Sequence, residues 1–171
     1  MRTTRALILA TLLLLTPLSL LATPATAADT SVNVDTTWSG AVVLTGNVTV
    51  MNGSTLTLAP GTTVDGGDGY WIRVEGTLSA SHSDFFSSQV PLTSGSHGAG
   101  LWTGIYVTNK GHAILSEVTI ENAKTAIKVE GHLSANKVTI KDSYIGINVI
   151  GSADITSLTA QHIDYEVLRN S

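Results

Sequence analysis

Ile127-Lys128-Val129-Glu130-Gly131-His132-Leu133-Ser134-Ala135 runs on to Val138-Thr139-Ile140. Twenty places later Ile147-Asn148-Val149-Ile150-Gly151-Ser152-Ala153-Asp154-Ile155 runs on to Leu158-Thr159-Ala160. Twenty places earlier Gly111 stands between Ile105-Tyr106-Val107 and Ala113-Ile114-Leu115, with Val118-Thr119-Ile120 as the third set. A glycine thus recurs at a fixed interval, with three short β-forming segments around it. Internal repetition of this length is the mark of a solenoid.

In a strand, residues i and i+2 share a face, so each apolar pair marks a short strand with one buried side. Three such strands in twenty residues cannot pair as hairpins and keep register. Stacked coil on coil at about 4.8 Å, each pair falls on its equivalent and the interior becomes a continuous apolar column. Connections between parallel strands are right-handed. The spacing therefore predicts an all-β chain: a single-stranded right-handed parallel β-helix (solenoid) of about five to six coils. Charge gives a second check, because residues twenty apart become neighbours on adjacent coils. Lys110 with Glu130, Glu117 with Lys137 and Glu121 with Lys141 are all opposite in sign.

The column extends backward with looser spacing. Gly76 lies between Ile72-Arg73-Val74 and Leu78-Ser79-Ala80, with Ser83-Asp84-Phe85 as its third set. Gly53 lies between Val48-Thr49-Val50 and Leu56-Thr57-Leu58, followed by Thr63-Val64, while Val42 and Leu44 form the last face of a starting turn. Two excursions interrupt the coil. The stretch from Phe86 to Leu101, rich in Ser and Gly, predicts a side loop of the kind that carries binding on a rigid scaffold. Asp65-Gly66-Gly67-Asp68-Gly69 predicts a tight turn with positive φ. Tyr165-Glu166-Val167-Leu168 begins a further coil with no capping helix after it. That end is expected to pack on a copy of itself, on a partner, or on more of a longer protein.

The N-terminus has a different character. Arg2 and Arg5 precede an apolar run from Ala6 to Ala22 broken by Pro17, and Ala25-Thr26-Ala27 supplies the small residues a signal peptidase reads. The expected organisation is a signal peptide over 1–27, a lead-in or cap over 28–40 with Trp38 on the first coil, and the β-helix over 41–171 with its C-terminal end uncapped. Secretion or display at the cell surface follows, with no membrane span after cleavage. With no cysteine in the chain, neither disulfides nor thiolate metal sites are available. Removing Arg2 and Arg5 leaves seven basic residues against thirteen acids, a net charge of −6, which argues against nucleic acid as a partner.

Asp35-Thr36-Thr37-Trp38-Ser39-Gly40, followed by Gly53-Ser54-Thr55-Leu56-Thr57-Leu58-Ala59-Pro60-Gly61-Thr62-Thr63-Val64, resembles the opening of exported right-handed parallel β-helix repeat proteins. The resemblance covers essentially the whole chain after the signal. It implies a carbohydrate-associated, secreted or cell-surface protein, a group that includes adhesins, periplasmic sugar-binding proteins, polysaccharide lyases and hydrolases. Fold alone does not select among these. Polygalacturonase-type enzymes carry paired aspartates and a Gly-His-Gly, from which Gly111-His112-Ala113 and Gly131-His132-Leu133 depart. The calcium-binding acids and catalytic basic residues of pectate-lyase-type enzymes have no counterpart set.

The candidate sites come from the outward positions. Thr49, Arg73, Tyr106, Lys128 and Asn148 are expected to stack on the first face, bordered by Trp71 and Trp102. Cations that pair with sugar carboxylates and aromatic rings that lie on sugar rings would make this a polysaccharide track. The same residues would also serve an ordinary solvated face, and either tryptophan could pack at a coil corner. Asp65, Asp68 and Asp84 could offer oxygen ligands to calcium as a cofactor. His112 and His132 fall one coil apart. Thr63, Thr119, Thr139 and Thr159 form a column on the third face. Asn47 and Asn52 head glycan acceptor sequons. The function expected is a non-enzymatic secreted module that binds polysaccharide or a surface protein, or serves as a rigid surface element. The alternative is a polysaccharide lyase or glycoside hydrolase, or the N-terminal fragment of one.

Overall fold

The computed structural model describes residues 25–27, 29–88 and 102–169. All of its regular structure is β, and every strand pairing is parallel. The strands stack as a β-solenoid of about six turns. The expected loop beyond Ser88 and most of the expected signal segment lie outside the described residues. No helix among the described residues is long and apolar enough to cross a membrane.

Three faces run along the coil. The first carries Thr30–Val32, Val48–Val50, Trp71–Val74, Gly104–Val107 and Thr125–Val129, then the later parts of Val138–Val149 and Leu158–Arg169. The second carries Thr36–Trp38, Thr55–Leu58, the starts of Thr77–Phe86 and His112–Glu121, then His132–Asn136 and Ser152–Ile155. The third carries Ala25–Ala27, Ala41–Leu44, Thr63–Asp65 and the remaining halves of the long strands. Val118, Val138 and Leu158 stack as the repeat requires: Thr119 pairs with Thr139, and Val138 with Leu158. The segment 29–40, expected as a lead-in or cap, supplies the strands Thr30–Val32 and Thr36–Trp38, which pair with Val48–Val50 and Thr55–Leu58 of the next coil. Two acids of the segment cap that coil: Asp29 accepts from the Asn47 amide at 2.6 Å and Asp35 from the Thr55 amide at 2.8 Å. Ala25–Ala27, which the signal reading removes, pairs with Val42–Leu44.

The corners explain the sequence between the strands. From first to second face the glycine column turns the chain. A Cβ at Gly76, Gly111, Gly131 or Gly151 would run into backbone carbonyls of the coil before, so these glycines permit close approach of successive turns. The other two corners use the left-handed region. His82, Glu117 and Lys137 turn the chain from second to third face, and Asn122, Asp142 and His162 from third to first, all with φ between 47° and 58°. Single left-handed residues let a strand bend without breaking its ladder, which is why Thr77–Phe86, His112–Glu121 and Val138–Val149 run through a corner. Inward of the bend sit Ser83 and Ser143, whose hydroxyls donate to the carbonyls of Ser81 and Lys141 at 2.9 Å.

The core is one column of Val, Ile, Leu and Ala, widened by Phe85 and Trp102 at the corner between third and first faces. At the last coil the inward residues Ile155, Leu158 and Ile163 are only partly buried. Among the described residues, the strands Ser152–Ile155 and Leu158–Arg169 pair on one side alone.

Candidate functional site

The first face brings its expected ladder together. Thr49 pairs with Arg73, Arg73 with Tyr106, Tyr106 with Lys128 and Lys128 with Asn148. Contact between them changes what each can do. The Tyr106 ring lies between Arg73, whose Cζ is 5.6 Å from its centroid, and Lys128, whose Nζ is 4.5 Å from it. Its hydroxyl donates to Glu130 Oε2 at 2.6 Å. Expected as a platform for a sugar ring, Tyr106 is instead the centre of a cation–aromatic stack. Arg73 is ion-paired with Glu75 at 2.9 Å, and Lys128 with Glu130 at 2.7 Å.

These contacts tune the ionisable groups. The Glu130 bond holds Lys128 above its ordinary value, and hydrogen bonds from Lys128 and then Tyr106 hold Glu130 below the usual carboxylate range. The Tyr106 phenol is raised, chiefly because it donates to Glu130. Of the three lateral pairs expected from the twenty-residue interval, Lys137–Glu117 at 3.4 Å and Lys141–Glu121 at 2.9 Å form. Glu130, just past the end of the strand Thr125–Val129, binds Lys128 rather than Lys110, because a residue two places back in the chain lies within easier reach.

The two tryptophans part company. Trp102 is 1 % exposed, stacks on Phe85 with centroids 6.3 Å apart, and donates Nε1–H to the Glu121 carbonyl at 2.9 Å. It is core, so its place beside a sugar track is corrected. A Cβ at Gly66 would strike its ring, which accounts for the first glycine of the 65–69 turn; Gly67 and Gly69 have the expected positive φ. Trp71 faces outward and is 39 % exposed.

Trp71 borders a notch of about 370 Å³ walled by Arg73, Tyr106, Lys124 and Thr125 and floored by Gly104 and Ile105. Gly104 occupies the ladder position beside Trp71, so a side chain is missing where the stack would otherwise close. Glycine is required there: φ is +107°, and a Cβ would meet the Thr125 carbonyl. The notch lies at the corner where both excursions leave the coil. Nothing in the sequence around Lys124 and Gly104 marks them, since only the fold reveals a gap beside Trp71.

The remaining candidates do not gather. Asp65 Oδ1 accepts from the amides of Gly67 at 3.0 Å and Ser88 at 3.2 Å, so it organises turns. Asp84 stands between Thr63 and Thr119 in the third-face column. Among the described residues no three His, Asp or Glu side chains are placed to hold a metal ion, and Asp65, Asp68 and Asp84 form no such group. His112 and His132 lie with ring centroids 4.8 Å apart and tilted by 54° rather than stacked, and His132 reaches Ser152 at 2.8 Å and Asp154 at 3.5 Å. Asn52 is exposed, whereas Asn47 accepts from the Trp71 amide at 3.4 Å.

No family model, curated protein or solved structure matches this chain.

Proposed function

We propose that this chain is an exported, non-enzymatic β-solenoid module that binds a polysaccharide across its first face, with Trp71 as the contact platform. The observation that carries the reading is the outward, partly exposed Trp71 indole at the edge of the Gly104 notch. An indole presents a broad apolar plane with one polar edge, suited to a sugar ring. A concave site with apolar walls and a few convergent polar groups is the usual form of a ligand site. Thr103, Thr125, Arg73 and Lys128 supply such groups from three consecutive coils. Export is supported by Arg2, Arg5, the apolar run to Ala22 and the Ala25-Thr26-Ala27 site.

Affinity electrophoresis through gels containing neutral and acidic polysaccharides tests the reading, with reducing-end release followed in parallel. The expected result is retardation of the wild type by at least one polymer, loss of it in Trp71→Ala, and no new ends. A wild type unretarded in every gel, or a Trp71→Ala variant retarded as strongly, overturns it. Released ends would transfer the chain to the lyase or hydrolase class.

A further inference from the structure

The geometry points to an anionic group, a carboxylate or a sulfate on a sugar ring, as what the notch selects, with Lys124 as its counter-ion. This inference rests on reading the first face as a sugar-binding surface. The charge distribution carries it. Arg73 and Lys128, the cations expected to recognise acidic sugars, already have Glu75 and Glu130 at ion-pair distance. Lys124 lines the same notch, is exposed, and forms no ion pair among the described residues. Its backbone is fixed by its amide donating to the Trp102 carbonyl at 2.8 Å, so its base is anchored to a core tryptophan while its ammonium group is uncommitted.

The other side of Trp71 has the opposite character. There a shallow groove is lined by Asp29, Asn47, Thr49 and the ion-paired Arg73 and Glu75, which leaves Asp29 as its charge outside an ion pair among the described residues. Trp71 thus separates a side whose charge outside an ion pair is the Asp29 carboxylate from a side whose charge outside an ion pair is the Lys124 ammonium. A ring lying on the indole would turn a negative substituent towards Lys124 and away from Asp29. The chain as a whole is acidic, at −4, so a polyanion is not drawn to it by general attraction; a local cation is needed. A charge-assisted contact in a half-enclosed notch corresponds to about tenfold in affinity.

The test is affinity electrophoresis of the full chain in alginate, carboxyl-reduced alginate, dextran sulfate and dextran. The variants are Lys124→Met and, as a control for overall charge, Lys137→Met. The inference expects alginate or dextran sulfate to retard the wild type more than its neutral counterpart. It also expects Lys124→Met to lose about tenfold of that affinity, with Lys137→Met unchanged. Retardation by one acidic polymer and not the other identifies the anion as carboxylate or sulfate. Neutral forms bound as tightly as acidic ones, or Lys124→Met binding like the wild type, overturns the inference and leaves polysaccharide binding standing. A wild type that no acidic polymer retards overturns it too, and polysaccharide binding falls with it only if the neutral gels are also blank.

Discussion

The Tyr106 hydroxyl and Lys128 Nζ approach the two oxygens of one carboxylate, Glu130 Oε2 at 2.6 Å and Oε1 at 2.7 Å, so a tyrosine of one coil is tied to the strand of the next. Removing the hydroxyl takes away one of the two bonds that depress Glu130. Tyr106→Phe should cost about 1 kcal/mol, the half-exposed setting limiting the effect. A depressed carboxylate contributes stability that is present above its unfolded value and lost as pH falls through its folded one. The variant should therefore show a Glu130 carboxyl resonance titrating at higher pH, and acid unfolding that begins at higher pH. An unmoved titration would mean the hydroxyl bond is absent in solution.

Gly131 and Gly40 separate two reasons for glycine. At Gly131 a Cβ meets the carbonyls of Gly111 and Thr108, whereas at Gly40 it meets nothing, although φ is +71°. Gly131→Ala should cost about 2 kcal/mol or more by forcing adjacent coils apart. Gly40→Ala should cost about 1 kcal/mol, from backbone conformation alone. Urea midpoints of the two variants measure the difference, and equal losses would remove close coil approach as the cause of the twenty-residue glycine interval.

Trp71 and Trp102 make a matched pair for testing core against surface. Trp102→Ala should destabilise by about 3–5 kcal/mol through loss of packing on Phe85. Trp71→Ala should change stability by no more than about 0.5 kcal/mol while abolishing polymer retention. Denaturant melts of the two variants, read beside the electrophoresis, keep stability and binding apart. A large stability loss in Trp71→Ala would make it a packing residue.

These tryptophans also show what the sequence could convey. Inward positions were legible wherever the interval held, because alternation and a fixed period together assign every residue a face. Val118, Val138, Leu158 and the pairing of Lys128 with Asn148 follow from that alone, while the earlier rungs of the first face needed the β-forming triplets around Gly53, Gly76 and Gly111 to be aligned across uneven spacing. Trp102 comes directly after an insertion, where the period is lost and nothing states which way the side chain turns. Its bridge to Ala123 places it inside. The Gly104 notch was illegible for another reason: a binding gap is a missing side chain beside a present one, and the two come from different coils.

His112 provides a pH test. Burial, and then the neighbouring His132, hold it below its ordinary value of 6.5. His132, Lys110 and Glu130 line the same groove, and Asp154 contacts His132 from the next coil. The unfolded chain therefore takes up this proton more readily than the folded one. Stability is complete above about pH 6.5 and declines as pH falls from there towards the folded value. Urea midpoints from pH 8 to pH 5 should fall in the wild type and fall less in His112→Gln, with the His112 ring resonances titrating below those of a free histidine. An identical decline in both proteins would place the sensitivity elsewhere.

The two left-handed corners differ in chemistry, and that difference predicts a stabilising change. From third to first face the chain uses Asn122, Asp142 and His162, residue types that tolerate positive φ. From second to third face it uses His82, a tolerant type, and then Glu117 and Lys137, which are not, in the same conformation. There Glu117 bridges His82 at 3.3 Å and Lys137 at 3.4 Å, with all three side chains substantially exposed. Exposed ion pairs contribute about 0–1 kcal/mol, whereas the left-handed conformation costs an ordinary residue about 1–2 kcal/mol. Conformation should win by a small margin. Glu117→Asn should leave stability unchanged or raise it by up to about 1 kcal/mol, and the gain should grow at high salt, where the bridges it gives up are screened. A loss that shrinks as salt is added would show instead that the ion ladder, and not the backbone, decides which residue occupies this corner.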